Sequence, residues 1–118
     1  FEDLEADGVA IGEVDFQRQS RARMAQRNRG LMRIYADRGK GLLLGAEMCA
    51  PAGEHMAHLL ALAIDRSLTV HDLLRIPFYH PTLEEGMRTA LRRIAAQVPR
   101  CSDSDLAGCG AIGAEALD

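Results

Sequence analysis

Residues 42–64 read LLLGAEMCAPAGEHMAHLLALAI, and the spacing of the apolar side chains changes halfway along this stretch. Leu42 to Ala46 form a short apolar run directly after the segment DRGKG, whose glycines suit a hairpin turn. From Gly53 onward the apolar residues recur at helical spacing and cover nearly every side of the helix. The stretch therefore predicts a strand followed by a buried helix, part of whose surface meets another subunit or domain.

The segments before this stretch have the alternating pattern of strands. Residues 31–35, LMRIY, lie on the other side of the glycine-containing turn and are expected to pair antiparallel with the run after it. Between Gly12 and Gln26 the sequence is mixed, with Val14 and Phe16 alternating with polar residues. This pattern favours a polar edge strand.

Three helices are predicted after the strands, over residues 53–67, 69–76 and 82–98. The second opens on Thr69 with Asp72 three residues later, a spacing typical of a capping box. Apolar residues form a one-sided stripe along the third: Leu83, Met87, Ala90, Leu91, Ile94, Ala95 and Val98. The stripe predicts a helix that packs one face against a core.

Because strands come first and helices follow, we predict an α+β fold. Its sheet is expected to be mostly antiparallel, with about four or five strands and helices packed on one face. Residues 1–13 are interpreted as the lead-in from a preceding domain that the sequence lacks. Residues 14–98 form the predicted domain, and the Gly-, Ser- and Asp-rich residues 99–118 are expected to be a flexible tail.

Composition limits the possible partners. The chain has 118 residues and a net charge of −3, which gives no electrostatic footprint for nucleic acid. The arginine-rich segment RQSRARMAQRNR is accordingly interpreted as a solvated strand face. No apolar run is long enough to span a membrane, and no signal peptide is evident at the start. Three widely spaced cysteines suggest a reducing cytoplasm, with Cys49 as a small core residue.

A metal site on the 53–67 helix is considered and not favoured. His55 and His58 lie three residues apart beside Glu54, a spacing that can place two imidazoles on one metal ion. A third ligand has no convincing spacing, and His71 qualifies only if the fold brings it close. We therefore predict surface or interface histidines and no metal.

The stretch PFYHPTLEEGMRTALRR, residues 77–93, has a structural interpretation. Pro81 disfavours helix at His80 and fixes the entry of the chain. Thr82 is a natural N-cap, and Glu85 stands where it completes a capping box. In this interpretation the histidine is only a turn residue.

The same residues also have a catalytic interpretation. Glu85, one turn into the helix, can accept a hydrogen bond from one ring nitrogen of His80 and leave the other nitrogen free for proton transfer. Such a pair suits a thiol substrate, because only the thiolate attacks a disulfide. The motif alone does not choose between the two interpretations, which are compatible.

The pattern LLLGAEMCAPAGEHMAHLLALAI, then TVHDLL, then YHPTLEE resembles the C-terminal dimerisation domain of the FAD-dependent pyridine nucleotide-disulfide oxidoreductases. The resemblance runs from about Val14 to Val98. Within that family, HPTL with a glutamate five residues after the histidine is most similar to the dihydrolipoamide dehydrogenases. Glutathione reductases share the His-Pro-Thr and the glutamate but usually differ at Leu83.

The resemblance implies a homodimer built through this domain. It implies that His80 is the acid/base and Glu85 its orienting partner, acting in the active site of the other subunit. His80 and Pro81 are then expected near the partner's FAD, with a cis peptide bond before the proline. The implied substrate is dihydrolipoamide or a lipoyl-bearing protein, with electrons passing to NAD, and the FAD and NAD(P) domains belong to the same parent chain.

Two motifs of such enzymes are not found: no G-x-G-x-x-G follows a predicted strand, and C-x-x-x-x-C does not occur. The fragment is therefore expected to bind no FAD and to be inactive alone. A glutathione-reductase-like disulfide reductase stays open as an alternative, as does a non-catalytic homodimeric interaction module. Cys101 and Cys109 in the tail raise the further hypothesis of a mobile thiol that reaches an active site.

Overall fold

A computed structural model of the chain describes residues 8–99, which include a three-stranded antiparallel sheet. Its strands are β1 (Val9–Asp15), β2 (Leu31–Asp37) and β3 (Leu43–Cys49), in the order β1-β2-β3. The hairpin predicted around DRGKG is confirmed as the β2–β3 pair. The predicted number of four or five strands is wrong for the part of the chain described, which has three.

The first predicted strand is shorter and begins earlier than expected. β1 reaches back to Val9, inside the segment 1–13 predicted as a lead-in, and ends at Asp15. A 3-10 turn (Phe16–Arg18) and a short helix α1 (Ser20–Met24) follow. The Asp15 carboxylate accepts a hydrogen bond from the backbone N–H of Gln17 at 2.8 Å, which turns the chain out of the strand. The arginine-rich segment is therefore mainly helical and turn-like, and the predicted strand face is wrong.

The three later helices are confirmed, with shorter ends. They are α2 (Gly53–Asp65), α3 (Val70–Arg75) and α4 (Glu85–Ala95). The capping box of α3 forms as predicted between Thr69 and Asp72. Among residues 8–99, no helix combines the length and the apolar content that crossing a membrane requires.

The core lies between one face of the sheet and the helices, so the predicted α+β layering is confirmed. Met32 and Ile34 of β2 are fully buried, as are Met87, Leu91 and Ile94 of α4. On the other face of the sheet Arg33 pairs with Glu13 at 2.6 Å and with Glu47 at 3.4 Å. Helices therefore cover one face, and charged side chains occupy the other.

Helix α4 packs directly on the backbone of β1. A Cβ atom at Gly12 would overlap the carbonyl oxygen of Ala90 and approach Ile94 Cγ1 to 2.8 Å. Glycine is required here because the helix backbone lies against the strand backbone. This contact fixes the height of α4 above the sheet and therefore the position of its N-terminus.

Side chains cover the free edge of β1. Gln97 Nε2 donates to the carbonyl of Ile11 at 2.7 Å, and Arg93 Nη1 donates to the carbonyl of Glu13 at 2.7 Å. Arg38 Nη2 donates to the carbonyl of Val9 at 3.1 Å. These three carbonyls belong to alternate residues, so they form the row that an edge strand would otherwise leave unpaired.

Two predictions about burial need correction. Helix α2 buries Met56, Leu60 and Ala63, but Leu62 on the opposite side is 56% exposed. The helix is thus buried on one face only, and the prediction that part of its surface is left for another subunit agrees with this exposure. Cys49 is exposed instead of buried, because it ends edge strand β3 opposite Leu31, on the face that the helices do not cover.

Candidate functional site

The candidate site begins in the segment between α3 and α4. The peptide bond between His80 and Pro81 is cis, as the resemblance implied. The hydroxyl of Thr82 donates to the carbonyl of Tyr79 at 2.7 Å and closes a tight turn around the two residues between them. The turn leaves the side chain of His80 74% exposed.

His80 and Glu85 form a close pair. His80 Nδ1 lies 2.9 Å from Oε1 and 3.1 Å from Oε2 of the Glu85 carboxylate. Because a carboxylate only accepts hydrogen bonds, Nδ1 carries the donated proton. No hydrogen bond to Nε2 is found among residues 8–99, so that nitrogen is left available. The arrangement matches the geometry expected of a general base with an orienting carboxylate.

Glu85 also forms a hydrogen bond at the start of α4. Its Oε2 accepts a hydrogen bond from the backbone N–H of Thr82 at 3.0 Å. The other half of the predicted capping box, a bond from the N–H of Glu85 to the Thr82 hydroxyl, is not found in the described residues. The hydroxyl donates to Tyr79 instead, and the helix begins at Glu85 and not at Thr82. The N–H of Thr82 first, and then the hydrogen bond with His80, hold the pKa of Glu85 below its ordinary value. The carboxylate is therefore ionised at neutral pH.

The pair opens onto a groove of about 610 Å³ between α4 on one side and the end of β1 with the segment that follows it on the other. Charged residues of both signs line it. Those other than Glu85 are Glu13, Asp15, Arg18 and Arg93. The groove brings together residues about 70 positions apart in the sequence, which spacing patterns within one helix do not reveal.

Three supporting contacts were not predicted. The guanidinium carbon of Arg88 lies 5.6 Å from the centre of the Phe78 ring, which ties the turn to α4. Gln19 Nε2 donates to the carbonyl of Thr82 at 2.5 Å. Phe16 is fully buried, and its ring fills the space where Gly86 has no side chain. Phe78 and Arg88 are ten residues apart, so the spacing of neighbours on one helix does not predict their contact. The hydrogen bond from Gln19 to Thr82 has no signal in the sequence either.

The histidines considered as metal ligands do not lie together in the structure. His55 and His58 are exposed on α2, while His71 on α3 has its Nε2 3.2 Å from the carbonyl of Pro99. Within residues 8–99, no group of three or more His, Cys, Asp or Glu side chains is arranged to hold a metal ion. Cys101 and Cys109 lie outside the described residues.

Comparison with known families identifies most of the chain. The family model described as "Pyridine nucleotide-disulphide oxidoreductase, dimerisation domain" matches residues 2–91. Dihydrolipoyl dehydrogenase 1, mitochondrial, from Arabidopsis thaliana is 32% identical over 91 residues, which are 75% of this chain and 18% of that protein. The dihydrolipoyl dehydrogenase of Haloferax volcanii is 30% identical over 87 residues, 74% of this chain and 18% of that protein.

Solved structures share the fold. LpdA from Mycobacterium tuberculosis superposes with a TM-score of 0.70 at 23% identity, over 77% of this chain and 20% of that chain. The HOCl-induced flavoprotein disulfide reductase RclA from Escherichia coli gives a TM-score of 0.70 at 21% identity, over 77% of this chain and 21% of that chain. The chain thus spans about a fifth of the length of the proteins it matches.

Proposed function

The chain belongs to the pyridine nucleotide-disulphide oxidoreductases as a dimerisation domain, and on that premise we propose that it serves a dihydrolipoamide dehydrogenase. In this proposal it is the C-terminal domain of a flavin-dependent enzyme that oxidises dihydrolipoamide with NAD. It supplies His80 and Glu85 to the active site of the partner subunit. The observation that carries the proposal is the 2.9 Å contact between His80 Nδ1 and Glu85, with Nε2 left available.

The proposed chemical step is a proton transfer. A thiol of the substrate gives its proton to Nε2 of His80, and the resulting thiolate attacks a disulfide held by the rest of the full-length protein. The new S–S bond forms as the old one breaks, and the displaced sulfur leaves as a thiolate. Glu85 fixes the tautomer and stabilises the imidazolium that forms. General acid–base catalysis of this kind contributes about 10²- to 10⁴-fold to the rate.

Within the part of the chain that the structure describes, the start of α4 does not fit a dinucleotide. Glu85 already accepts from the N–H of Thr82 and places a carboxylate at the N-terminus of α4, where a pyrophosphate would need donors and positive charge. FAD and NAD are therefore assigned to other domains of the full-length protein, where FAD supplies the two-electron chemistry. His80 and Pro81 are proposed to lie near the FAD of the partner subunit.

The proposed partners are a second copy of the chain and a lipoyl group. A dimerisation domain implies a homodimer, and the exposed Leu62 on α2 supplies apolar surface for one. A location in the cytoplasm stays a prediction, because one of the relatives named above is a mitochondrial enzyme.

The test is turnover of the full-length protein with dihydrolipoamide and NAD, comparing wild type with His80→Gln. We expect a loss of about a hundredfold or more, with the flavin still bound. His71→Gln is the matched control, because His71 lies on α3 and does not line the groove. Unchanged turnover in His80→Gln would contradict the proposal and leave the histidine as a turn residue. Parallel assays with glutathione disulfide and NADPH decide between the two disulfide substrates.

A further inference from the structure

Gln19 connects the two sides of the groove with one side chain. Its Oε1 accepts a hydrogen bond from the backbone N–H of Ala22 at 2.6 Å, and its Nε2 donates to the carbonyl of Thr82 at 2.5 Å. Because both ends of the amide are engaged, the orientation of the side chain is fixed. Gln19 and Thr82 are 63 residues apart, so the contact exists only in the folded chain.

Thr82 is the residue on which the geometry of the His80–Glu85 pair depends. Its N–H donates to Glu85, and its hydroxyl donates to the carbonyl of Tyr79, the residue before His80. The N–H is also the first of the contacts that keep the pKa of Glu85 low. A shift of Thr82 would therefore move the carboxylate and the backbone before the imidazole together.

The packing beside this hydrogen bond leaves little freedom. A Cβ atom on Gly86 would lie 2.8 Å from Cε1 of Phe16 and 3.7 Å from Cγ of Gln19. The ring of Phe16 in the 3-10 turn thus packs directly on the backbone of α4 at Gly86. Gln19 lies at the edge of this contact, where it holds the turn before α4 against the segment after β1.

We infer that Gln19 is a positioning residue: through Thr82 it holds the His80–Glu85 pair in the orientation needed for proton transfer. The inference rests on the proposed function and adds a residue from a segment remote in sequence. It assigns the α1 segment a role in the reaction, because α1 begins at the residue that follows Gln19.

The substitution chosen for Gln19 must leave the charges around the His80–Glu85 pair unchanged. Arg88 of α4 lies next to the pair. The charged residues lining the groove besides Glu85 are Glu13, Asp15, Arg18 and Arg93. Gln19→Met removes both hydrogen bonds, keeps a side chain of similar length and adds no charge to this set. A change in pH dependence is then attributable to the pair itself.

Gln97→Met is the matched control. Gln97 also joins two elements by bonds between its amide and backbone atoms, with Nε2 donating to the carbonyl of Ile11 at 2.7 Å. It lies beyond the C-terminal end of α4 and does not line the groove. The two variants thus lose the same kind of bond, and only one loses it beside the pair.

The experiment measures kcat/KM of the full-length protein against pH with dihydrolipoamide and NAD. For Gln19→Met we expect the plateau to fall about 10- to 100-fold, since small displacements of catalytic groups have effects of this size. We also expect the pH dependence of kcat/KM to change, because a displaced carboxylate alters the electrostatic surroundings of the reacting pair. Gln97→Met should keep the wild-type plateau and pH dependence, even if its melting temperature drops.

Several results would overturn the inference about Gln19, and each can be told apart from a failure of the proposed function. A plateau and pH dependence of Gln19→Met that match those of Gln97→Met would overturn the inference, as would a lower plateau at an unshifted pH. Should Gln19→Met fail to fold, Gln19→Glu keeps the acceptor for Ala22, loses the donor to Thr82 and adds a charge, so only its plateau is compared. An unchanged plateau in that variant overturns the inference. His80→Gln is measured alongside: if it retains wild-type turnover, the proposed function itself is wrong and the role of Gln19 falls with it.

Discussion

Gly12 on β1 faces the carbonyl oxygen of Ala90 on α4 so closely that no side-chain atom fits between them. The strand and the helix are therefore in backbone contact, and the buried apolar residues of α4 fill the space on either side. Since the turn with His80 leads directly into α4, this contact also sets where the candidate site lies above the sheet.

Gly12→Ala is expected to destabilise the chain. The new methyl group must displace α4 from β1, and overpacking of this kind costs about 1–3 kcal/mol. The measurement is the free energy of unfolding from urea denaturation. Gly45→Ala is the control, because a Cβ atom there meets nothing within 4 Å, and it should change stability by less than about 0.5 kcal/mol. Equal losses in the two variants would contradict the packing argument.

Asp72 should make the stability of the chain depend on pH. The hydroxyl of Thr69 first, and then its backbone N–H, hold the pKa of Asp72 below its ordinary value of 3.8. A carboxyl whose pKa is lowered on folding stabilises the fold above its unfolded pKa, and this stabilisation is lost as the pH falls through the folded value. Asp72→Asn should therefore be less stable than wild type at pH 7, and the difference should shrink below about pH 4.

The control for this pH dependence is Asp65→Asn, which changes an exposed carboxylate at the end of α2. It should alter the free energy of unfolding by less than about 0.5 kcal/mol throughout the pH range. A difference between wild type and Asp72→Asn that stays constant from pH 7 down to pH 3 would show that the carboxylate charge is not what stabilises α3.

Glu85→Gln should lower turnover of the full-length protein with dihydrolipoamide by at least about tenfold. The amide is nearly the same size but carries no charge, so it supports the imidazolium less well. Glu84→Gln is a close control, since the neighbouring glutamate makes no side-chain capping bond. Turnover that drops equally in both variants would point to a general effect of charge at the start of α4, not to the pair with His80.

Leu62→Glu should weaken the proposed homodimer. Leu62 is 56% exposed on α2, and a charge there would lose its hydration if a second subunit covered it. We expect the dissociation constant of the full-length protein to rise at least about tenfold, measured by light scattering after size-exclusion chromatography. Ala96→Glu adds the same charge at an exposed position after α4 and should leave the dimer intact. A dimer that tolerates Leu62→Glu places the interface elsewhere.

Much of the fold could be predicted because its signals are local. The β2–β3 hairpin follows from two apolar runs around glycines, and α4 from a stripe at helical spacing. The 3-10 turn and α1 were missed because their first turns are closed by the side chains of Asp15 and Gln19. Side-chain caps of this kind compete with the backbone pattern that predicted a strand.

For the candidate site too, local contacts could be predicted from the sequence and long-range contacts could not. His80 and Glu85 are five residues apart, so their pairing could be proposed from spacing, and the distances agree. The bond from Gln19 to Thr82 and the groove between α4 and the segment after β1 depend on how the elements pack. Contacts across 60 or more residues leave no periodic signal in a single sequence.

The three side chains along β1 also restrict how copies of the protein can associate. Arg38, Arg93 and Gln97 occupy the carbonyls of Val9, Glu13 and Ile11 that would otherwise accept hydrogen bonds from another strand. A second chain therefore cannot extend the sheet there without first displacing them, which opposes both continuous intermolecular sheets and the fibres that grow from them. A partner that binds beside β1 therefore has to contact side chains instead of free strand backbone.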